Sequence, residues 1–483
     1  MKVAVVHYHL RRGGVTQVIS SAQQAVRDKG VEMVVMSGEE LPEGLSIDNV
    51  IVEPGLSYRK TAYLSVAESL VESLKARAEK HFGCQPDLWH FHNHSLGKNV
   101  LTPLVVRGLA EEGAHVLLQM HDFPEDGRPS NYVAQRMFFD SDKEFQKSLY
   151  PTGSHIHYAP INGRDFGFLK SAGIKDDQLH LLPNAVSGVE TECSPEDRPF
   201  AKDKEFILYP TRAIRRKNLG EMLLLSILGG DDRLFATSLV PENSDWVPIH
   251  DKWSALVDKL ELPIQLGAAQ GEKYRFVDLV GWCDMMITTS VAEGFGLAFL
   301  EPCLVGKSIV GRNLPRITAD FTNDGVDLNH LYDRIEIPLD WVDQGDLRGL
   351  ADDALARTYL AYDRKLPRKA AEKTFSRWIT DGTIDFGCLN EATQTKVIER
   401  IADSSAAATE ITGAELKAQT PEFIARQKQA VETNYSLAAY GDNLKGVYDK
   451  VLSSSVSKTK HLPPGKVLDQ FLDPWRLNLL RSL

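Results

Sequence analysis

Lys2-Val3-Ala4-Val5-Val6-His7-Tyr8-His9, then Gly13-Gly14, then the run Val15–Asp28, reads as a strand, a glycine turn and a helix. That is the opening of a βα unit, and the same alternation continues outward from it. Short β-branched or apolar runs at Val31–Ser37, Val50–Glu53, Leu88–His92, Val116–His121, His155–Pro160 and Leu179–Leu182 are separated by helical stretches. Alternation of this kind implies a parallel sheet with helices on its faces. A second series follows at Phe206–Pro210, Leu234–Val240, Pro263–Leu266, Met285–Ser290, Ser308–Gly311 and Ile335–Pro338.

The chain has 483 residues and 43% hydrophobic content. Single cores stop growing at roughly 250–300 residues, so two domains are expected. The boundaries read as a first domain over 1–186, a turn- and charge-rich hinge over 187–204, and a second domain over 205–433. The alanine-rich stretch at about 343–429 has few strand signals and is expected as a helical addition. Residues 434–483 read as a closing helix, a serine-rich linker and a short apolar tail, Val467 to Leu483. The tail is expected to dock on the body, a contact between copies in a homo-oligomer being the alternative.

Lys and Arg total 55 against 66 for Asp and Glu, a net charge of −11. An acidic balance disfavours nucleic acid and anionic membrane as partners, since both select a basic face. No uncharged apolar run approaches the ~18–20 residues that span a bilayer, so stable membrane insertion is not expected. The amino terminus carries no secretion signal, and five cysteines without paired spacing fit a cytoplasmic chain.

Three motifs carry the chemistry. Gly13-Gly14, between strand and helix, lets backbone approach a bulky ligand and offers amides to phosphate, although a tight turn would need glycine too. It is not the dinucleotide fingerprint, because no G-x-G-x-x-G occurs. Arg212-Ala213-Ile214-Arg215-Arg216-Lys217 follows the first strand of the second domain, where cations can hold a diphosphate whose charge grows as its bond to a sugar breaks. Arg212 and Lys217 need not be redundant, since arginine grips two oxygens and lysine one. Glu293-Gly294-Phe295-Gly296-Leu297-Ala298-Phe299-Leu300-Glu301 follows Met285–Ser290. One carboxylate can meet a sugar and the other a ribose, while the amides of Phe295, Gly296 and Leu297 at a helix start suit phosphate.

Glu293 to Glu301 resembles the E-x7-E signature of retaining GT-B glycosyltransferases, in particular the family-4 group of glycogen-synthase-like and sucrose-synthase-like enzymes. Arg212 with Lys217 is similar to that family's R-x4-K pair, and Gly13-Gly14 resembles its amino-terminal glycine loop. Pro183-Asn184-Ala185 resembles the interdomain P-N-G element, and Asn434 through Tyr448 the helix that crosses back to the first domain. The resemblance implies an α/β GT-B fold, two doubly wound Rossmann-like domains facing across a cleft. It implies hexosyl transfer, with retention, from a nucleotide-diphosphate sugar carried on UDP or GDP to a hydroxyl acceptor. It also gives His121 a contact with the donor sugar, which places His121, Glu293, Arg212 and Lys217 in the catalytic set. Gly294, Phe295, Gly296, Leu297 and Glu301 join Gly13 and Gly14 in donor binding. Asn218, Cys303 and the run Arg312-Asn313-Leu314-Pro315-Arg316 depart from the family's usual residues.

Acceptor contacts are expected from first-domain loops, with Asn93, His94, Asp122 and Arg128 as candidates, and the acidic balance leans toward a small soluble acceptor. His90, His92 and His94 recur at spacing two, which on a strand would place all three on one face for zinc. The reading preferred is polar residues lining the cleft, with no metal and no cofactor. Lys217→Ala or Glu293→Ala is expected to abolish turnover and leave the melting transition largely intact. The alternatives are another GT-B activity, a sugar phosphorylase or nucleotide-sugar epimerase, or a non-catalytic nucleotide-sugar-binding protein.

Overall fold

The computed structural model describes residues 1–482. It divides into two compact units, the first formed by Met1–Ala185, Tyr359–Arg364 and Asn434–Asp473, the second by 186–358, 365–433 and the segment from Pro474 onward.

The first unit contains β1 (Lys2–His7), β2 (Glu32–Ser37), β3 (Val50–Val52), β4 (Leu88–His92), β5 (His115–Met120), β6 (Tyr150–Thr152) and β7 (Ile156–Pro160). Six of these form a parallel sheet in the order β3-β2-β1-β4-β5-β7. Both faces are covered, which is why β1 and β2 are near-continuous apolar runs. β6 lies apart and pairs antiparallel with Lys460–Leu462. The closing helix, Leu437–Ser453, places Tyr440, Leu444, Val447 and Tyr448 in the same core as Val3, Val5, Ile19 and Leu117. Leu179–Leu182, expected as a strand, is not one. It follows the edge of β7 through single bonds from His180 N to Tyr158 O and from Leu182 N to Pro160 O, and Pro160 and Pro183 have no amide with which to extend a ladder.

The second unit contains β8 (Glu205–Arg212), β9 (Arg233–Leu239), β10 (Ile264–Gln265), β11 (Met285–Thr288) and β12 (Ser308–Gly311), parallel in the order β10-β9-β8-β11-β12. Ile335–Pro338 does not join this sheet. Its core, β13 (Glu336–Pro338), pairs antiparallel with β15 (Thr383–Asp385), which pairs in turn with β14 (Ile379–Thr380). The hairpin between them turns on Asp381 and Gly382, with φ of 45° and 81°. Asp-Gly between two short β-branched pairs is the sequence signal for that turn.

The stretch at 343–429 is therefore not purely helical, nor an addition. Its helices Gln344–Ala361, Ala370–Trp378 and Glu391–Asp403 contribute Leu347, Ala351, Phe375, Trp378, Val397 and Ile398 to the core that holds Ile207, Leu223 and Ile287. Within 187–204, Arg198 is buried and bonds Asp284 and the carbonyls of Phe200, Ala201 and Lys204, all in the second unit. The tail docks first by Phe471, whose ring lies 5.0 Å from Phe123 and 4.9 Å from Phe168 in the first unit, then by Leu479 in the second unit's core. Leu483, its last residue, lies outside the described residues.

Each sheet reverses its strand order once, between β1 and β4 and between β8 and β11. Loops leaving the carboxyl ends of the two strands that flank such a point splay apart and leave a crevice for ligand. His7 to Gly14 and His92 to Asn93 flank the first crevice; Arg212 to Lys217 and Thr289 to Glu293 flank the second.

Candidate active site

In the second unit β8 runs into a 3-10 turn, Arg215–Lys217, before the helix Leu219–Leu228. Asn218 joins them with φ 51° and ψ 57°. That left-handed conformation costs asparagine less than most residues, so it can stand where glycine is more usual. The loop after β11 is stitched to this turn: Thr289 Oγ1 donates to the carbonyls of Lys217 and Asn218 at 2.9 and 3.0 Å, and Val291 N to that of Arg216 at 3.0 Å.

The stitching brings Glu293 against the cations. Its Oε1 accepts from Lys217 Nζ at 2.5 Å and Ser290 Oγ at 2.6 Å, and its Oε2 from Arg216 Nη1 at 2.9 Å. The side chain is only 9% exposed and that of Lys217 14%. Burial pushes the Glu293 carboxyl up, but the charges of Lys217 and Arg216 outweigh it and hold the group at about 2. Glu293 is therefore ionised throughout the neutral range, an acceptor of hydrogen bonds and no source of protons. Glu301 is raised by burial and drawn back by the charge of Lys217, so both acids of the motif share that lysine as neighbour.

Arg212 is not in this cluster. Its Nη1 lies 2.7 Å from Glu242 Oε1 on the loop after β9. Arg216 takes the place beside Glu293 instead, because successive residues of a 3-10 turn point about 120° apart and Arg215 turns away to Glu391. The helix expected to open at Leu297 is a 3-10 turn, Leu297–Phe299, followed by a four-residue helix that starts at Glu301. Amides there act singly, without the field of a long helix behind them. Gly296, with φ 101°, is required by the backbone, whereas a Cβ on Gly294 would meet nothing within 4 Å. Phe295 packs on Phe321 at 5.6 Å. Lys217 and Glu293 form a buried pair, so Glu293→Ala would leave Lys217 without its carboxylate and Lys217→Ala would leave Glu293 to Arg216 and Ser290, which argues for some loss of stability in either variant.

In the first unit Gly13 caps the helix Gly14–Val26 with φ 168°, extended backbone open to any residue. A Cβ on Gly14 would meet no atom within 4 Å, and one on Gly13 only Arg11 O at 3.9 Å. The turn itself therefore does not demand glycine at either position, and what the two lack is side-chain bulk. His121 follows β5. Its Nε2 and His92 Nδ1 share a hydrogen bond of 2.9 Å, the two rings stack 8° from parallel, and its backbone N donates to Asn93 Oδ1 at 2.8 Å. His7 Nδ1 donates to His92 O at 3.3 Å, and His90 Nδ1 meets the Tyr448 hydroxyl at 2.9 Å. Burial lowers His121 and His94 to about 4 and His7 and His90 to about 3, so these rings are neutral at pH 7.

Two acceptor candidates are corrected. Asn93 and His94 are fully buried, the first holding the backbone of His121 and Asp122, the second donating from Nε2 to Leu149 O at 2.7 Å. Asn93 positions the loop after β5, and His94 is tied to the segment that leads into β6. His94 lies beyond the end of β4 and so off the face shared by His90 and His92; no group of three or more metal-binding side chains converges among the described residues. Asp122 and Arg128, bonded at 2.5 Å, remain at the surface. His7 was missed as a site residue, while His92 was read only as lining the cleft and Arg216 only as part of the cationic run. A histidine at the end of each of β1 and β4, the two strands flanking the first crevice, was the available signal for His7 and His92.

Two parallel, doubly wound units, with a cation–carboxylate cluster at the crevice of the second, define the GT-B glycosyltransferase class. No protein-family model matches the chain. It is 31% identical over 364 residues, 69% of either chain, to the mannosylglucosyl-3-phosphoglycerate synthase of Petrotoga mobilis. The fold is similar to that of a sucrose-phosphate synthase from Thermosynechococcus elongatus, with TM-score 0.52 and 14% identity over 94% of this chain and 99% of that one. The glycosyltransferase of Rickettsia africae aligns equally well, over 94% of this chain and 98% of its own, again at 14% identity and TM-score 0.52. The Anabaena protein HepE, solved with UDP-glucose, covers 93% of this chain and 99% of its own at TM-score 0.50 and 12% identity. The chain belongs to the retaining GT-B glycosyltransferases of the family-4 type. It transfers a hexose from a nucleotide sugar.

Proposed function

We propose that the hexose is a mannosyl unit and that its acceptor is a small phosphorylated acid already bearing a sugar, glucosyl-3-phosphoglycerate, as the name of the Petrotoga relative indicates for that enzyme. The observation that carries the site is the meeting of Lys217 Nζ and Glu293 Oε1, 76 residues apart in sequence, at one buried point beside the crevice of the second sheet. Lys217 and Arg216, with Arg212 released from Glu242, would neutralise the diphosphate as it departs. Three cations in one loop supply the charge that a divalent metal supplies elsewhere, so the reaction runs without one. Glu293, ionised and fixed by its partners, orients the hexose, and Glu301 the ribose. Gly13 and Gly14 leave room for the donor to approach backbone, and His121, neutral, offers Nδ1 or its carbonyl to a sugar hydroxyl.

In the transfer the bond from the anomeric carbon to the diphosphate oxygen breaks and the bond to the acceptor oxygen forms on the same face. The acceptor proton passes to the departing diphosphate. The test supplies GDP-mannose, UDP-mannose and their glucose counterparts with glucosyl-3-phosphoglycerate, and follows released nucleoside diphosphate and product by mass spectrometry and NMR. The expected result is acceptor-dependent release, an α-linked product from an α-linked donor, and a rate unchanged by EDTA. Sugar epimerisation without acceptor, or donor binding with no turnover, would overturn the proposal in favour of an epimerase or a binding protein.

A further inference from the structure

Near Asp122, which follows His121, the first unit gathers three positive side chains: Arg128 is paired with Asp122 at 2.5 Å, whereas Lys60 and Lys98 have no ion-pair partner among the described residues. The segments carrying Tyr58-Arg59-Lys60 and Lys98-Asn99-Val100 run side by side: Arg59 N donates to Lys98 O at 2.7 Å and Val100 N to Arg59 O at 2.9 Å. Asn99 locks them together by donating from Nδ2 to the carbonyls of Gly55 and Ser57, each at 2.8 Å. Lys98 Nζ lies 5.1 Å from the centre of the Tyr58 ring and has no carboxylate partner among the described residues. Among the described residues Lys60 Nζ reaches only the neutral Asn131 Oδ1, at 3.5 Å. Arg128 is held by its own loop, Nη1 donating to the carbonyls of Phe123 and Asp126 and Nη2 to Asp122 Oδ1 at 2.5 Å, and its backbone N donates to the Tyr362 hydroxyl.

These three cations share one neighbourhood. Burial lowers Lys98, and the charges of Lys60 and Arg128 lower it further against the single opposing carboxylate, Asp122. Of the other acids nearby, Glu39 meets Arg11 at 2.6 Å and Asp126 meets Arg164 at 3.7 Å. Asp122 follows His121 directly, and Asn93 Oδ1 accepts from the backbone N of both, at 2.8 and 3.0 Å. Like charges held together on rigid loops cost free energy that an anion of two or more charges would recover.

We propose that Lys60, Lys98 and Arg128 form the subsite that binds the phosphate and carboxylate of the acceptor's phosphoglycerate moiety. The subsite rests on the acceptor reading given above and deepens it, by naming the residues that would select a doubly anionic acceptor over a neutral sugar. Arg128 would turn Nη2 from Asp122 to the ligand's carboxylate or phosphate, and the two lysines act as point charges on the remaining oxygens.

The test uses the full chain with Lys60 and Lys98 both replaced by Gln, and Lys98→Arg as the conservative control. 3-Phosphoglycerate is the calorimetric probe, and glucosyl-3-phosphoglycerate the acceptor in the rate assay. Binding to the double variant should weaken, and its acceptor KM rise, by about tenfold to a hundredfold, the size of losing one or two charge-assisted contacts. Wild-type affinity should fall as ionic strength rises while the variant's barely moves. Lys98→Arg should retain most of the affinity, and a merely structural lysine would not impose that pattern. If the wild type binds and glycosylates the phosphorylated acceptor and the double variant does so equally well, the subsite is wrong and the acceptor reading stands. If the wild type neither binds 3-phosphoglycerate nor glycosylates any phosphorylated acid but accepts a neutral sugar, the acceptor reading fails and the subsite with it.

Discussion

Replacing Glu293 by Gln keeps the shape of the side chain and removes its charge, leaving Lys217 and Arg216 facing a neutral amide. In the folded chain the carboxyl titrates at about 2, against 4.5 for an unperturbed glutamate. At about 1.4 kcal/mol per pH unit, that gap corresponds to roughly 3 kcal/mol of stability carried by the ionised group. The folded value is depressed, so this stability is complete above the unfolded value and lost as pH falls through the window from 4.5 to about 2. The variant has already lost it. Chemical denaturation at a series of pH values, read by tryptophan fluorescence, reports chiefly on the second unit, which holds six of the seven tryptophans. The wild type should exceed Glu293→Gln by roughly 3 kcal/mol at pH 7, with the difference shrinking toward zero near pH 2. Turnover should fall at the same time, since the donor sugar loses an anionic acceptor of its hydroxyls. A difference that stays constant from pH 7 to pH 2.5, or a variant as stable as the wild type at pH 7, would refute the reasoning.

The buried Arg312, bonded to Glu221 at 2.6 and 2.8 Å and to Asp385 at 2.8 and 3.0 Å, should cost about 3–5 kcal/mol of second-unit stability when replaced by Leu, because both acids are left unpaired; a loss below 1 kcal/mol in denaturant would count against that network. Glu125, fully buried and raised to about 8 by burial, stays protonated in the fold while the unfolded chain releases its proton above 4.5, so stability falls as pH rises between those values. Glu125→Gln should therefore raise first-unit stability at pH 7 by up to about 3 kcal/mol and have no effect at pH 4.5, measured by circular dichroism melts; a gain independent of pH would contradict it. His92→Phe keeps the stacked ring but removes the bond to His121, and should lower kcat by about tenfold while shifting donor KM less; unchanged kcat would show that His121 needs no such support.

The alternation of β-branched runs with helical segments was enough to fix two parallel α/β units, because strands buried on both faces must be apolar along their whole length. The motif residues were legible for a related reason: glycine where bulk is excluded and acids or cations at strand ends are local choices. Where a side chain points is another matter. Arg212, Arg215, Arg216 and Lys217 are alike in sequence, and only the turn geometry sends Arg216 and Lys217 to Glu293 while Arg215 goes to Glu391 and Arg212 to Glu242. Asn93 and His94 looked like loop residues available to a ligand until the fold buried them. Lys60 and Lys98, 38 positions apart, became neighbours through backbone bonds between two loops. The sequence by itself determined the class of fold and the kinds of chemistry carried on its loops. Only the tertiary structure decided which charges meet, because pairing depends on distances between segments far apart in the chain, and hydrophobic periodicity does not encode them.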